Sequence, residues 1–224
     1  MKKLLSILLA SAAIGLIAVS ADATLIDRGG GLIYDNDLNI TWLQDSNYAM
    51  TSGYDADGKM TWADAVTWAG TLVYGGYSDW RLPTTVPQND SSGYDGATGK
   101  GYNITNGSEM GHMYYTELGN MGYVATNGTA PQPGWGLVNT GPFTNLQFDD
   151  YWSGTVYAPN TAGAWDFRFS FGLQDVDYNT KYFYAWAVRD GDVATVPEPG
   201  TMLLLGSGLT GLVVWRKKFG FKQG

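Results

Sequence analysis

The chain has 224 residues, with 13 Lys and Arg against 21 Asp and Glu, one His and no Cys. The lack of Cys excludes disulfides, thiol nucleophiles and cysteine metal sites, and a lone His112 excludes histidine clusters for zinc or proton relays. Residues 24–196 hold 19 carboxylates against 7 Lys and Arg, a net charge of −12, which repels nucleic acid and acidic polymers and suits a soluble surface protein.

The chain opens on Lys2 and Lys3, an apolar run, and small residues through Ala21 and Ala23. This is the layout of a secretory signal peptide over residues 1–23, cut by signal peptidase after Ala-Asp-Ala. The apolar run is short and ends in a small-residue site, which argues against an uncleaved anchor. Residues 24–195 then have the length of one domain with a core of its own.

"GGGLIYDNDLNITWLQD" predicts two short strands around a turn at residues 35–39. "DADGKM" predicts a second turn. "TWADAVTWAGTLVYGG" predicts a helix with Trp62, Ala65, Val66, Ala69, Leu72 and Val73 on one apolar face, Thr61 and Asp64 as its capping pair, and Gly75 and Gly76 as its stop. "YSDWRLP" runs extended into Pro83. Residues 86–107 read as a long surface loop. "SEMGHMYYTELGNMG" predicts a second short helix capped by Ser108, and residues 123–145 read as another loop rich in Gly, Pro, Asn and Thr.

Three strands close the domain: "DYWSGTVY", "AWDFRFSFG" and "YFYAWAVRDG". The second alternates Trp165, Phe167, Phe169 and Phe171 on one face with Asp166, Arg168 and Ser170 on the other. The third is apolar on both faces, which predicts a central strand. Two helices inserted in mostly antiparallel short strands with long loops is an α+β fold.

The chain ends on Pro197, Glu198 and Pro199, an uncharged run over residues 201–215, and Arg216, Lys217 and Lys218. As a helix the run spans about 22 Å at ~1.5 Å per residue, short of the roughly 30 Å hydrocarbon core of a bilayer. The basic cluster would stay cytoplasmic, holding an exported domain at the outer face of the inner membrane. The order Pro-Glu-Pro, apolar helix, basic cluster resembles the PEP-CTERM sorting signal, assigned here to residues 196–224. That resemblance implies processing by a membrane protease of the exosortase type, a Gram-negative envelope, transient residence in the inner membrane, and delivery to the cell surface or extracellular matrix, often alongside exopolysaccharide production. A plain tail anchor is the alternative.

A second resemblance runs along most of residues 27–192. "TWADAVTWAGTLVYGGYSDWRLPT", "YWSG", "FRFSFG" and "AWAVRDG" are similar to the Lcl C-terminal-domain family, a domain-of-unknown-function family. The resemblance implies a C-type-lectin-like fold, kinship with formylglycine-generating domains, and adhesion through sulfated polysaccharides. The chain departs from the family where "TVPQND" follows Trp-Arg-Leu-Pro-Thr in place of Glu-Leu, with Glu117 and Leu118 supplying that pair later. The formylglycine-generating relatives use cysteines that this chain lacks, so their activity does not carry over.

Among candidate sites, Tyr94, Tyr102 and Trp135 fall in predicted loops and could stack on pyranose faces, with Arg168 as a contact for an anionic ligand. Packing into the fold is the alternative for each ring. Arg81 reads as a structural ion-pair partner. No metal ligands are assigned: from Asp55 the fifth loop position is Lys59 and Gly58 comes too early for an EF-type calcium loop, so Asp55 and Asp57 read as turn residues bonding their own backbone. Calcium held by distant loops stays open. The pairs Asp149 with Asp150 and Asp175 with Asp177 could hydrolyse a glycoside only at about 5–10 Å separation, and solvated turn carboxylates are the alternative. His112 reads as a partly buried helix residue. The composite expectation is a non-catalytic exported module binding carbohydrate or matrix. The alternatives are an envelope protein acting through structure or protein contacts without a glycan, and, remotely, a carboxylate-dependent glycoside hydrolase.

Overall fold

Leu32, Ile33, Ile40, Trp42 and Leu43 are all buried, and the six residues between the two apolar runs let them fold into a hairpin. In the computed structural model, which describes residues 25–193, these runs are β2 (Leu32–Asp35) and β3 (Ile40–Leu43). Their turn is set by Asp35, whose Oδ1 accepts the backbone N–H groups of Asp37 and Leu38 at 3.1 and 3.0 Å. Asn39 closes it at φ 53°, a conformation Asn tolerates better than most residues. An unpredicted β1 (Leu25–Gly29) pairs antiparallel with β2, and β11 (Val188–Asp190) pairs with β3, giving the order β1-β2-β3-β11.

The second sheet has seven strands. It is built from β4 (Lys59–Met60), β5 (Ser92–Gly93), β6 (Lys100–Tyr102), β7 (Asp150–Val156), β8 (Gly163–Arg168), β9 (Leu173–Tyr178) and β10 (Phe183–Tyr184), in the order β4-β10-β7-β8-β9-β6-β5. Pairing is antiparallel except at β10 with β7 and β5 with β6. Three short helices complete an α+β arrangement: α1 (Tyr48–Thr51), α2 (Trp62–Thr71) and α3 (Glu109–His112), the last running into a π-helical turn at Met113–Glu117.

Several expectations are corrected. The segment 182–190 is not one central strand. Its first part is β10 in the large sheet and its last part is β11 in the small one, and the chain between them, Ala185, Trp186 and Ala187, is fully buried. A segment that crosses between two sheets is apolar on every side, which imitates the pattern of a central strand. The α2 face is also shifted. Ala65, Trp68 and Ala69 face the core, while Val66 is 38% and Val73 72% exposed. The backbone turns extended at Leu72, before Gly75 and Gly76, so Val73 no longer follows the helical period. Thr61 caps α2 as predicted, accepting from the Asp64 N–H. In β8 the alternation stops at Arg168, because Phe169 and Phe171 belong to the turn into β9. Asp166, expected on a polar face, is fully buried. The loop 86–107 contains β5 and β6, where Gly101 sits at φ 118° and an added Cβ would lie 1.8 Å from the Gly93 carbonyl oxygen.

Buried rings hold the two sheets together. Trp186 lies 4.5 Å from Trp42 and 4.7 Å from Phe143, and contacts Tyr151 and Phe169 of the large-sheet side. The indole N–H groups of Trp186, Trp152 and Trp62 donate to the carbonyls of Leu43, Met60 and Ser153 at 2.7 to 2.9 Å, so each ring also fixes backbone. The extended segment around Arg81 stitches the same seam. Arg81 and Val188 exchange backbone hydrogen bonds at 2.8 Å, and the Pro83 carbonyl accepts from the Gly154 N–H and the Ser153 hydroxyl. Arg81 grips Glu109 with two hydrogen bonds of 2.8 Å and also reaches Asp190, while Arg189 grips Asp79 and lies 4.1 Å over the Tyr77 ring. The Tyr-Ser-Asp-Trp-Arg-Leu-Pro motif and the Val-Arg-Asp strand are thus one interlocked unit, and Arg81 has the structural role expected of it.

Among the described residues no helix is long and apolar enough to cross a membrane. The signal peptide expected over residues 1–23 and the apolar run at 201–215 lie outside the described residues.

Candidate functional site

The predicted loop at 123–145 folds back onto the turn between β8 and β9. Tyr123 donates its N–H to the Phe171 carbonyl, and Gly136 donates to Met121. This brings Trp135 into a stack on Phe171, with centroids 5.3 Å apart and planes 19° apart, while Tyr123 meets the Trp135 ring edge-on at 4.9 Å. Phe148, 59% exposed, lies beside Gly136, and Met121 is half exposed next to Gly134. Tyr102, half-buried on β6, packs beside Gly122. Burial raises the pKa of its hydroxyl and the nearby Arg168 guanidinium partly offsets this. Arg168 closes the group as the last residue of β8, directly before the turn, with its guanidinium on Asp150 at 2.6 and 3.1 Å.

Three of the four residues singled out in the sequence, Tyr102, Trp135 and Arg168, therefore surround one turn. The fourth, Tyr94, is exposed and rests against Gly128 of the same loop, where Asn103 Nδ2 links the carbonyls of Tyr94 and Val124. Arg168 is not a free cation. Burial raises the Asp150 pKa and Arg168 pulls it back only in part, so the two form a half-buried pair. Tyr123, Phe148 and Phe171 join the face without having been singled out. In sequence Phe171 reads as a strand residue packing on the core, and no pattern marks Tyr123, at the start of a loop rich in Gly, Pro, Asn and Thr, or Phe148 just beyond it.

Two further clefts meet at Tyr157, each of about 230–240 Å³. One is lined by Asn160, Asp177 and Tyr178, and the other by Asp90, Pro159 and Trp165. The Tyr157 hydroxyl donates to Asp90, whose other partner is Lys100. Tyr157 directly follows β7 and extends its pattern, so spacing alone does not single it out.

The carboxylate pairs are largely committed to cations. Asp149 holds Lys59, Asp150 holds Arg168 and Asp177 holds Lys181. Asp150 is a buried strand residue and Asp175 and Asp177 lie on β9, so these are not turn carboxylates as expected. Asp55 and Asp57 accept backbone N–H groups of their own turn. One group among the described residues has the chemistry of a metal site: Asp35, His112 and Glu117, with ligand atoms within 4.8 Å of one another.

Comparison with known families matches the PEP-CTERM protein-sorting motif to residues 195–218, the stretch that holds Pro197, Glu198, Pro199, Arg216, Lys217 and Lys218. No curated protein matches the chain. The motif marks the chain as an exosortase substrate, exported across the inner membrane to the cell surface or extracellular space and processed at its C-terminus.

Proposed function

We propose that the domain exported by this sorting signal is a non-catalytic module of C-type-lectin-like fold that binds carbohydrate in the extracellular matrix. The observation that supports the reading is the aromatic face around residues 168–172. Trp135 and Phe171 form a stacked pair, Tyr102, Tyr123 and Phe148 flank it, and the pair of Arg168 and Asp150 gives a donor and an acceptor at its edge. Pyranose rings present apolar C–H faces and ring hydroxyls, so a half-exposed aromatic with polar groups at its rim is the surface they recognise. The net charge of the domain favours neutral over sulfated polymers.

An envelope protein that works through protein contacts is the second reading. It is favoured by the cation pairing of Arg168, which leaves the face without a free charge. Binding of the full chain to a panel of neutral and anionic polysaccharides, at two salt levels and with or without calcium, separates the two. Saturable binding that survives salt supports a glycan module. Self-association with no glycan dependence supports the second reading.

A further inference from the structure

We infer that Asp35, His112 and Glu117 form a mononuclear site for a divalent transition ion such as Mn²⁺ or Zn²⁺. The three donors come from two distant stretches of chain. Asp35 ends β2, His112 ends α3, and Glu117 ends the π-helical turn. In a regular α-helix, residues five apart point about 140° away from each other at 3.6 residues per turn. The wider π turn between His112 and Glu117 brings them to one side, with Nε2 and Oε1 3.2 Å apart. Two ligands sharing one ion with bonds of about 2.0–2.2 Å stand at this kind of separation.

The charge balance points the same way. Asp35 is fully buried and the Glu117 side chain is 2% exposed, yet among the described residues neither meets a Lys or Arg. Asp35 Oδ1 is occupied by the Asp37 and Leu38 N–H groups, while Oδ2 is buried with no hydrogen-bond partner. The Trp42 indole N–H, also buried without a hydrogen-bond partner, lies near enough to Asp35 to lower its pKa. Burial raises the pKa of both Asp35 and Glu117, as it must where carboxylates share a dry site without a full counter-charge. Asp37 adds a third carboxylate, 3.2 Å from His112 Nε2 and half exposed.

A single imidazole with carboxylate oxygens suits Mn²⁺ or Zn²⁺ better than Ca²⁺, which takes six to eight oxygen ligands. The ion has a route in. A cleft of about 240 Å³, bordered by Asp37, Thr84, Asn106, Ser108 and His112, opens beside the cluster and leaves room for water or a further ligand. The site lies on the hairpin and α3, apart from the aromatic face, so it stands or falls independently of the carbohydrate reading.

The test titrates the untagged full chain, purified in mild detergent and stripped with chelator, with MnCl₂, ZnCl₂ and CoCl₂ by calorimetry and visible absorption. One equivalent of binding, a Co²⁺ d–d band and a rise of several degrees in Tm are expected. Glu117→Gln should weaken binding at least tenfold while leaving the metal-free Tm unchanged or higher, because it removes a buried negative charge. His112→Gln should lose the Co²⁺ band. Absence of saturable binding by the wild-type chain for all three ions overturns the proposal whatever the variants do, as does unaltered affinity in both variants.

Discussion

Asp166 offers the sharpest test of how this fold carries its negative charge. It lies on β8 between Trp152 and Asp175, is fully buried, and neither carboxylate oxygen has a hydrogen-bond partner. Burial first, then Asp150, Asp175 and Asp177, raise its pKa well above the ordinary value of 3.8. A carboxyl with a raised folded pKa binds its proton more tightly in the folded state. Its contribution to stability is therefore full below pH 3.8 and falls as pH rises from there to the folded pKa. Within that window the fall is about 1.4 kcal/mol per pH unit. Asp166→Asn removes this slope, and its buried amide costs about 1–3 kcal/mol for want of partners. The variant should therefore gain on the wild type as pH rises through the window, each kcal/mol being roughly 2–4 °C in Tm for a domain of this size, and melt above it at pH 8. At pH 4.5 the variant should equal the wild type or fall below it. Calorimetric Tm values across pH 4.5–8 read this out, with the other raised carboxyls, Asp35, Glu117 and Asp150, common to both proteins. A variant with the wild-type pH slope and a lower Tm at pH 8 would refute the reasoning.

Four substitutions probe the seam and the edges. Arg81→Met should cost about 2–3 kcal/mol in urea unfolding. That is below the roughly 3–5 kcal/mol of a fully buried pair because Arg81 is 29% and Glu109 15% exposed. Trp186→Phe keeps one aromatic ring but loses the indole N–H and leaves the buried Leu43 carbonyl unpaired, for a loss of at least about 1–3 kcal/mol in the same assay. Gly101→Ala should strip amide-exchange protection from β5 and β6 while sparing the core, since the added methyl meets the Gly93 carbonyl. Gly70→Ala, on the exposed side of α2 with open space around it, should stabilise by about 0.4–1 kcal/mol and raise Tm.

What could be read from the sequence was local and periodic. The hairpin of β2 and β3, the Thr61 cap and the Ser108 cap follow from short-range rules, and the structure has all three. What escaped depends on long-range partners. β9 reads Leu-Gln-Asp-Val-Asp-Tyr, too polar to announce a strand, and it exists because β8 and β6 flank it. The segment 182–190 has a strand pattern but serves two sheets, a fact of topology rather than of spacing. At the aromatic face, Tyr102, Trp135 and Arg168 were recognisable as types, but only the fold-back of the loop at Tyr123 places them around one turn. The cluster of Asp35, His112 and Glu117 spans 82 residues of chain and depends on a π turn, so composition argued against it.

The most direct measurement of the central claim is equilibrium binding of the full chain to the polysaccharide that binds best in the panel, comparing wild type with Trp135→Ala, Tyr102→Ala and the distant surface control Val73→Ala. The account predicts at least tenfold weaker binding for Trp135→Ala, a clear loss for Tyr102→Ala and none for Val73→Ala, with all four proteins melting within a few degrees of one another. Equal affinities across the four, or no saturable binding to any polysaccharide, would contradict it.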